Sequence, residues 1–396
     1  MRPTLKELII KRIEGRETVI IALLSVFSLA LRLYLIDSYP SPVFDEIYYL
    51  PGGGESLSRT VFISDHPPLG LFLITLSGKI AGACTFGWRF LPALLGSSLI
   101  PLTWLLSRRL WKSSETALVS AFLVAFDPLL FLWSRLAMLD IFLCFFTALS
   151  ALFFSMRQRA LSAFFLGLAV LTKWSALPLI AAFAAFSALG HLRGRTGRKE
   201  ILHTILIYIT VPALTYCSLF FILSCTARPE LFTAFHAAHL KSLASIPGLA
   251  YLSSPWWSWL VIPQYLPLAG QQIRTGETCI TVTMKALELP AFTWAAAVAF
   301  LFCAAGMAGR AFRDDDESPL LPLLAFSFLY FPWAISGRGT YLYYLIPAIP
   351  FLSLLLAHTL HRYLKDGIFF SIKLIFLIVL FLSFFAIYPH LVGWMP

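Results

Sequence analysis

Of the 396 residues, 59% are hydrophobic and 13% charged, with a mean hydropathy of +0.81 and a formal net charge of +10. A soluble domain is about a quarter charged, so a soluble core is excluded. The excess positive charge must be located along the chain before nucleic acid is considered.

Taken in chain order, apolar stretches predict helical spans at about 18–36, 88–107, 116–132, 138–156, 160–172, 175–190, 201–224, 290–309, 318–335, 341–361 and 367–388. Roughly 18 or more apolar residues, rising 1.5 Å each, cross a hydrocarbon core of about 30 Å. Helices are expected because backbone groups in lipid must pair internally and no alternating barrel pattern is present. The fold class is therefore an all-α polytopic membrane protein with about eleven transmembrane helices, forming a single domain over 1–396. The first stretch is too long for a signal-peptide core and reads as an uncleaved span.

Residues 1–17 carry Arg2, Lys6, Lys11, Arg12 and Arg16, and other short connections carry Arg108, Arg109, Lys112, Arg157, Arg159, Arg193, Arg195, Arg198, Lys199, Arg310, Arg313, Arg362 and Lys365. These all fall on one side of the predicted spans. The positive-inside rule makes that side the cytoplasm, with the N-terminus inside and the C-terminus outside. Topology thus accounts for the net charge, and the lipid bilayer, not nucleic acid, is the partner.

Two longer external loops remain, at 37–87 and 225–289. In the first, His66-Pro67-Pro68 leads into an apolar stretch at 69–83, too short to span and expected as an interfacial helix. The second holds Pro255-Trp256-Trp257-Ser258-Trp259, a ring cluster suited to the headgroup level. The 160–190 stretch must leave and return to the cytoplasmic side, so it is expected as two short helices turning near Thr172-Lys173-Trp174.

Ionisable groups at a bilayer boundary are functional candidates. Asp45, Glu46, Asp65, Arg89, Arg135, Asp140, Lys173 and Arg338 all fall on the external face of the predicted topology. Carboxylates with several cations suit a transfer in which a hydroxyl loses a proton while a phosphate leaving group gains charge. Asp45-Glu46 is the leading pair, because adjacent carboxylates repel. Asp45, Glu46, Asp65, His66, His236 and His239 are all external metal-ligand types, but no pair has a diagnostic spacing, so a divalent metal stays open.

The order Phe44-Asp45-Glu46, Asp65-His66-Pro67-Pro68, Trp88-Arg89, Ser134-Arg135 with Asp140, and Thr172-Lys173-Trp174 resembles the protein O-mannosyltransferases, polyprenyl-phosphate-sugar-dependent enzymes of the GT-C fold. His239, the Trp256 cluster, Phe331-Pro332-Trp333, Arg338 and Tyr341-Leu342-Tyr343-Tyr344 continue the likeness. It implies Asp45 as catalytic base beside Glu46, and Arg135 on the donor phosphate. Lys173, Arg89, His66, Asp65 and Arg338 would shape the donor site, with His239, Trp256 and Trp257 on the acceptor or lipid side. Ser64 stands where the family usually has an acid, Tyr343-Tyr344-Leu345 replaces a common Tyr-His-Tyr, and the 225–289 loop is too short for the β-trefoil of eukaryotic members.

The expected function is inverting transfer of a sugar, mannose in the resembled family, from a polyprenyl-phosphate donor to a hydroxyl on the non-cytoplasmic face of a prokaryotic inner membrane. Protein Ser/Thr is the expected acceptor. Lipid A or another envelope glycolipid is the alternative, and a lipid-linked-sugar flippase is the alternative from another class. Transporters place charge near the midplane and carry repeated halves, whereas this chain has boundary charges and no repeat.

Overall fold

The computed structural model describes residues 15–50, 66–195, 197–224, 228–245, 253–275, 278–309, 318–337 and 339–393. Asp65, Arg338 and the acidic run Asp314–Glu317 lie outside the described residues.

Helix α1 (Glu17–Leu33) is followed by a single turn, α2 (Glu46–Tyr49), then α3 (Pro68–Ala81), α4 (Thr85–Trp111), α5 (Ser114–Ala125) and α6 (Pro128–Trp133). The expected third span is broken between α5 and α6. Asp127 causes the break: its Oδ1 accepts the Leu130 amide at 2.7 Å, and Pro128 opens the new helix at N1, where its missing N–H is harmless.

Helices α7 (Leu139–Ser155) and α8 (Arg159–Thr172) form an antiparallel pair, and α8 also packs on α10 (Arg198–Leu223). Gly167 permits that second contact, since a Cβ there would lie 2.7 Å from the Thr215 Cβ and 3.0 Å from the Pro212 Cα. Lys173 leaves α8 in extended conformation, a 3₁₀ turn covers Trp174–Ala176, and Pro178 starts α9 (Pro178–Leu192). The turn falls where the sequence places it.

Helix α11 (Pro229–Ser245) is followed by a 3₁₀ turn at Trp256–Leu260, α12 (Pro290–Gly309) and α13 (Leu320–Tyr330). A 3₁₀ segment at Leu342–Ala348 runs into α14 (Ile349–Tyr363), and α15 (Gly367–Leu391) closes the chain. The second loop also holds structure that the sequence reading lacks, an antiparallel hairpin of β1 (Tyr265–Thr275) and β2 (Thr278–Leu287). Its register runs from Tyr265↔Leu287 to Thr275↔Thr278 with an irregularity between Pro267 and Ala269, as expected where proline cannot donate to a ladder.

Among the described residues, six helices are long and apolar enough to cross a membrane, and five shorter apolar helices accompany them. The segment Leu342–Tyr363 is almost wholly enclosed, whereas α10, α12 and α15 turn Leu206, Ile209, Leu301, Phe302, Ile375 and Leu382 outward. Such an apolar belt requires a lipid solvent. Lys373, a cation within α15, is buried against Glu115 of α5, which also meets His361 Nδ1 at 3.1 Å.

Candidate active site

Phe44 sets the geometry of the first loop. Its φ of +54° is left-handed, a conformation disfavoured for a side chain with a Cβ and held only by surrounding structure. The support is aromatic: the Phe44 ring meets Trp133 edge-on at 6.2 Å and Tyr343 at 5.6 Å.

Beyond this kink, Asp45 and Glu46 separate. Glu46 is fully buried and forms a two-pronged ion pair with Arg89, Nε to Oε1 at 2.8 Å and Nη2 to Oε2 at 2.6 Å. Its oxygens also accept the Val43 and Ala137 amides, both at 2.7 Å. Arg89 donates further to the Ile36 and Tyr39 carbonyls at 2.9 and 3.0 Å. The first loop, the start of α4 and the α6–α7 connection are thus locked together, and both side chains are buried. The geometry therefore departs from the catalytic role expected for Glu46 and the substrate-binding role expected for Arg89, because every strong bonding position on both groups is engaged within the protein.

Arg135 is also engaged through both terminal nitrogens, while its buried Nε has no hydrogen-bond partner among the described residues. Its Nη1 donates to the Leu31, Arg32 and Tyr34 carbonyls at 3.2, 2.6 and 2.7 Å, and Nη2 to Leu35 O at 2.9 Å. Leu31 and Arg32 belong to the last turn of α1, where carbonyls lack helical partners; Tyr34 and Leu35 follow it, and Leu35 itself has a φ of +50°. The guanidinium thus caps a strained helix end and is 2% exposed, a placement that runs against its expected part in holding the donor phosphate.

The remaining charged and aromatic groups cluster on the Asp45 side, and this cluster is termed the chamber. Antiparallel packing of α7 and α8 brings the start of one to the end of the other, so Asp140 Oδ1 accepts from Lys173 Nζ at 2.8 Å. The ammonium also sits 5.3 Å from the Tyr343 ring centre and 5.4 Å from that of Tyr344, within cation–π reach. Half-buried Asp45 shares this field. Burial pushes its carboxyl up to about 6, Lys173 opposes the shift, Asp140 adds to it, and a hydrogen bond with the Tyr49 hydroxyl lowers it. Burial beside Asp45 and Asp140 raises Tyr49 far above the ordinary phenol range, so Tyr49 stays a neutral donor.

A rail of rings leads away from Tyr49. His66 lies 5.8 Å from Tyr49 and 6.2 Å from His239, and His239 meets Trp174 edge-on at 4.4 Å. Trp174 Nε1 donates to the Tyr216 hydroxyl at 3.1 Å, which is 2.9 Å from His236 Nε2. Helix α11 thereby lies across the turn that presents Lys173. Of the tryptophan cluster, Trp257 is half exposed and Trp256 packs on Tyr330 and Phe331. Trp259, which the sequence reading left without a role, is buried and meets Tyr344 edge-on at 6.3 Å.

The structure thus gathers Asp45, Lys173, His66 and His239 about one chamber with Asp140, and sets Glu46, Arg89 and Arg135 beneath it as internal ties. Tyr49, Tyr343 and Tyr344 complete the chamber; Tyr343 and Tyr344 stand in a segment that carries the resemblance, whereas Tyr49 has no sequence signal beyond an aromatic ring four places after Asp45. Among the described residues no three of His, Cys, Asp or Glu converge as a metal cage.

Residues 79–226 match the family described as dolichyl-phosphate-mannose-protein mannosyltransferase. A polyprenol-phosphate-mannose–protein mannosyltransferase of Corynebacterium glutamicum is 25% identical over 85% of this chain and 81% of its own length. The chain is similar in sequence to protein O-mannosyltransferases. The fold agrees with that likeness. The Saccharomyces cerevisiae protein O-mannosyltransferase Pmt1-Pmt2 complex bound to the sugar donor superposes with a TM-score of 0.68 at 13% identity, covering 100% of this chain and 91% of that one. ArnT from Cupriavidus metallidurans bound to undecaprenyl phosphate gives 0.63 at 17%, over 95% and 65%. Both likenesses establish the GT-C architecture.

Proposed function

We propose that the chain transfers mannose from a polyprenyl-phosphate donor to a hydroxyl of a protein acceptor, with Asp45 as general base. What carries the reading is the position of Asp45, the half-buried carboxylate of the chamber, beside a lysine and a neutral tyrosine. A general base works best with a pKa near the working pH, and burial moves Asp45 toward it.

In this mechanism Asp45 takes the proton of the acceptor hydroxyl as its oxygen bonds to the sugar C1 from the face opposite the phosphate. The C1–O bond to phosphate breaks, and its electron pair leaves with the polyprenyl phosphate, giving inversion. Lys173, positioned by Asp140, faces the charge that develops on the phosphate. Arg135 and Arg89 act one layer below, holding the backbone that presents Asp45. The Corynebacterium glutamicum relative is a protein mannosyltransferase, which favours a protein acceptor over a glycolipid, and likeness to mannosyltransferases favours an enzyme over a flippase.

The chamber is assigned to the non-cytoplasmic face, since Arg108, Arg109, Lys112, Arg157 and Arg159 lie at the opposite ends of the helices that carry it. The deciding experiment is Asp45→Asn in membranes supplied with radiolabelled polyprenyl-phosphate mannose. Label should no longer reach the protein fraction while the variant inserts and keeps its Tm. Undiminished labelling would remove Asp45 from the mechanism, and label moving only into lipid would replace the protein acceptor by a glycolipid.

A further inference from the structure

A second cavity, of about 530 Å³, opens at the other end of the helix pair that carries the chamber. Helix α7 has 17 residues, which at 1.5 Å per residue separates its two ends by roughly 25 Å. Asp140 stands at one end, and Ser155 and Arg157 stand at the other. The volume falls in the range of about 300–1,000 Å³ usual for ligand pockets.

Its lining is strongly one-signed. Among the described residues, Arg109, Arg157, Arg159 and Arg195 line it with one carboxylate, that of Glu200; Arg159 engages Glu200 and lies 3.4 Å from His203, and Arg195 also has a partner. The positive-inside bias accounts for the number of cations on this face. It does not account for four guanidiniums from three separate segments, the end of α4, the α7–α8 turn and the end of α9, lining one hollow, where mutual repulsion would favour dispersal.

Arg157 adds an independent sign. It closes α7 in left-handed conformation, φ +60°, at a position where glycine is ordinarily preferred. An exposed arginine occupies that strained position and lines the cavity. The floor is apolar, formed by Phe154, Phe186 and Leu321.

We infer that this cavity binds a phosphate-bearing anion, with guanidiniums gripping the phosphate oxygens and the apolar floor receiving what is attached to them. Guanidinium–phosphate pairing is charge-assisted and often two-pronged, and basic pockets between membrane helices suit anionic headgroups. The anion has two sources, an anionic phospholipid headgroup from the bilayer or a free phosphate compound from solution. Either would tie together the ends of α4, α7, α8 and α9 on the face away from Asp45.

The test uses the purified full-length protein in phosphatidylcholine nanodiscs. Phosphatidylglycerol is added to the bilayer in one arm and inorganic pyrophosphate to the buffer in the other, with Tm and retained lipid by native mass spectrometry as readouts. Phosphatidylglycerol is expected to raise Tm and be retained over phosphatidylcholine; a rise with pyrophosphate alone assigns the same site to a soluble anion. Arg109→Gln/Arg157→Gln should weaken binding by about tenfold or more, Arg157→Gln alone on its exposed side chain by less, and Arg157→Lys should largely restore it. No response of the wild type to either anion, or variants that respond as the wild type does, would overturn the assignment.

Discussion

Two layers of charge lie one above the other on the Asp45 side of this protein, and they obey different rules. In the lower layer Glu46, Arg89 and Arg135 are buried, and apart from the Arg135 Nε each guanidinium nitrogen and carboxylate oxygen is spent on a partner of fixed position. In the upper layer Asp45 is half buried with one tyrosine partner, and Lys173 balances a carboxylate against two aromatic faces. Saturation makes a charge structural, because moving it exposes several broken bonds at once. Incomplete satisfaction leaves a charge able to exchange protons or receive a ligand. Asp45 and Glu46 are adjacent in sequence and fall on opposite sides of this divide.

The comparison can be broken by exchanging the expected phenotypes. Asp45→Asn should lower kcat by about 10²–10⁴-fold, the usual range for a general base, with Tm nearly unchanged. Glu46→Gln should do the reverse. It leaves Arg89 buried without its counter-charge, a loss of about 3–5 kcal/mol, visible as reduced folded yield and a lowered Tm, while whatever protein folds retains transfer. An Asp45→Asn variant that unfolds, or a Glu46→Gln variant that folds normally and is inactive, would erase the distinction. Lys173→Met should cost about 10²–10³-fold in kcat and, because Lys173 lowers the Asp45 pKa, should move the acid limb of the pH profile upward. A purely structural lysine would leave that limb in place.

Much of the upper layer was legible in the sequence. Hydropathy marks the helices, and the basic segments mark which ends are opposite, so Asp45, His66, Asp140 and Lys173 fall at one boundary before any packing is known. The lower layer was not legible. Glu46 and Arg89 are 43 positions apart, no local pattern pairs them, and the repulsion expected of adjacent carboxylates vanishes once successive helical positions point about 100° apart. The carbonyl contacts of Arg135 were hidden for a related reason, since a guanidinium suited to phosphate suits helix-end carbonyls equally well. The hairpin was masked by the adjacent tryptophans, although Thr278–Val282 is rich in β-branched residues. Trp259, the ring that reaches Tyr344, differs from Trp256 and Trp257 only in which face of a 3₁₀ turn it occupies.

The smallest expected effect sharpens the comparison most, because it isolates one hydrogen bond of the upper layer. Asp45 must be ionised to act as a base, and its folded pKa of about 6 lies above the ordinary 3.8. Transfer should therefore be on a plateau above pH 6 and fall by about tenfold for each further unit below it. Tyr49 donates to the ionised carboxyl and so holds the limb lower than burial alone would set it. Tyr49→Phe removes that donor and leaves the ring facing His66. The limb should move to higher pH while the plateau rate and Tm stay close to wild type, as a pH series of initial rates would record. A limb that stays fixed would mean that another group titrates in the assay, and Asp45 would then belong with Glu46 among the structural charges.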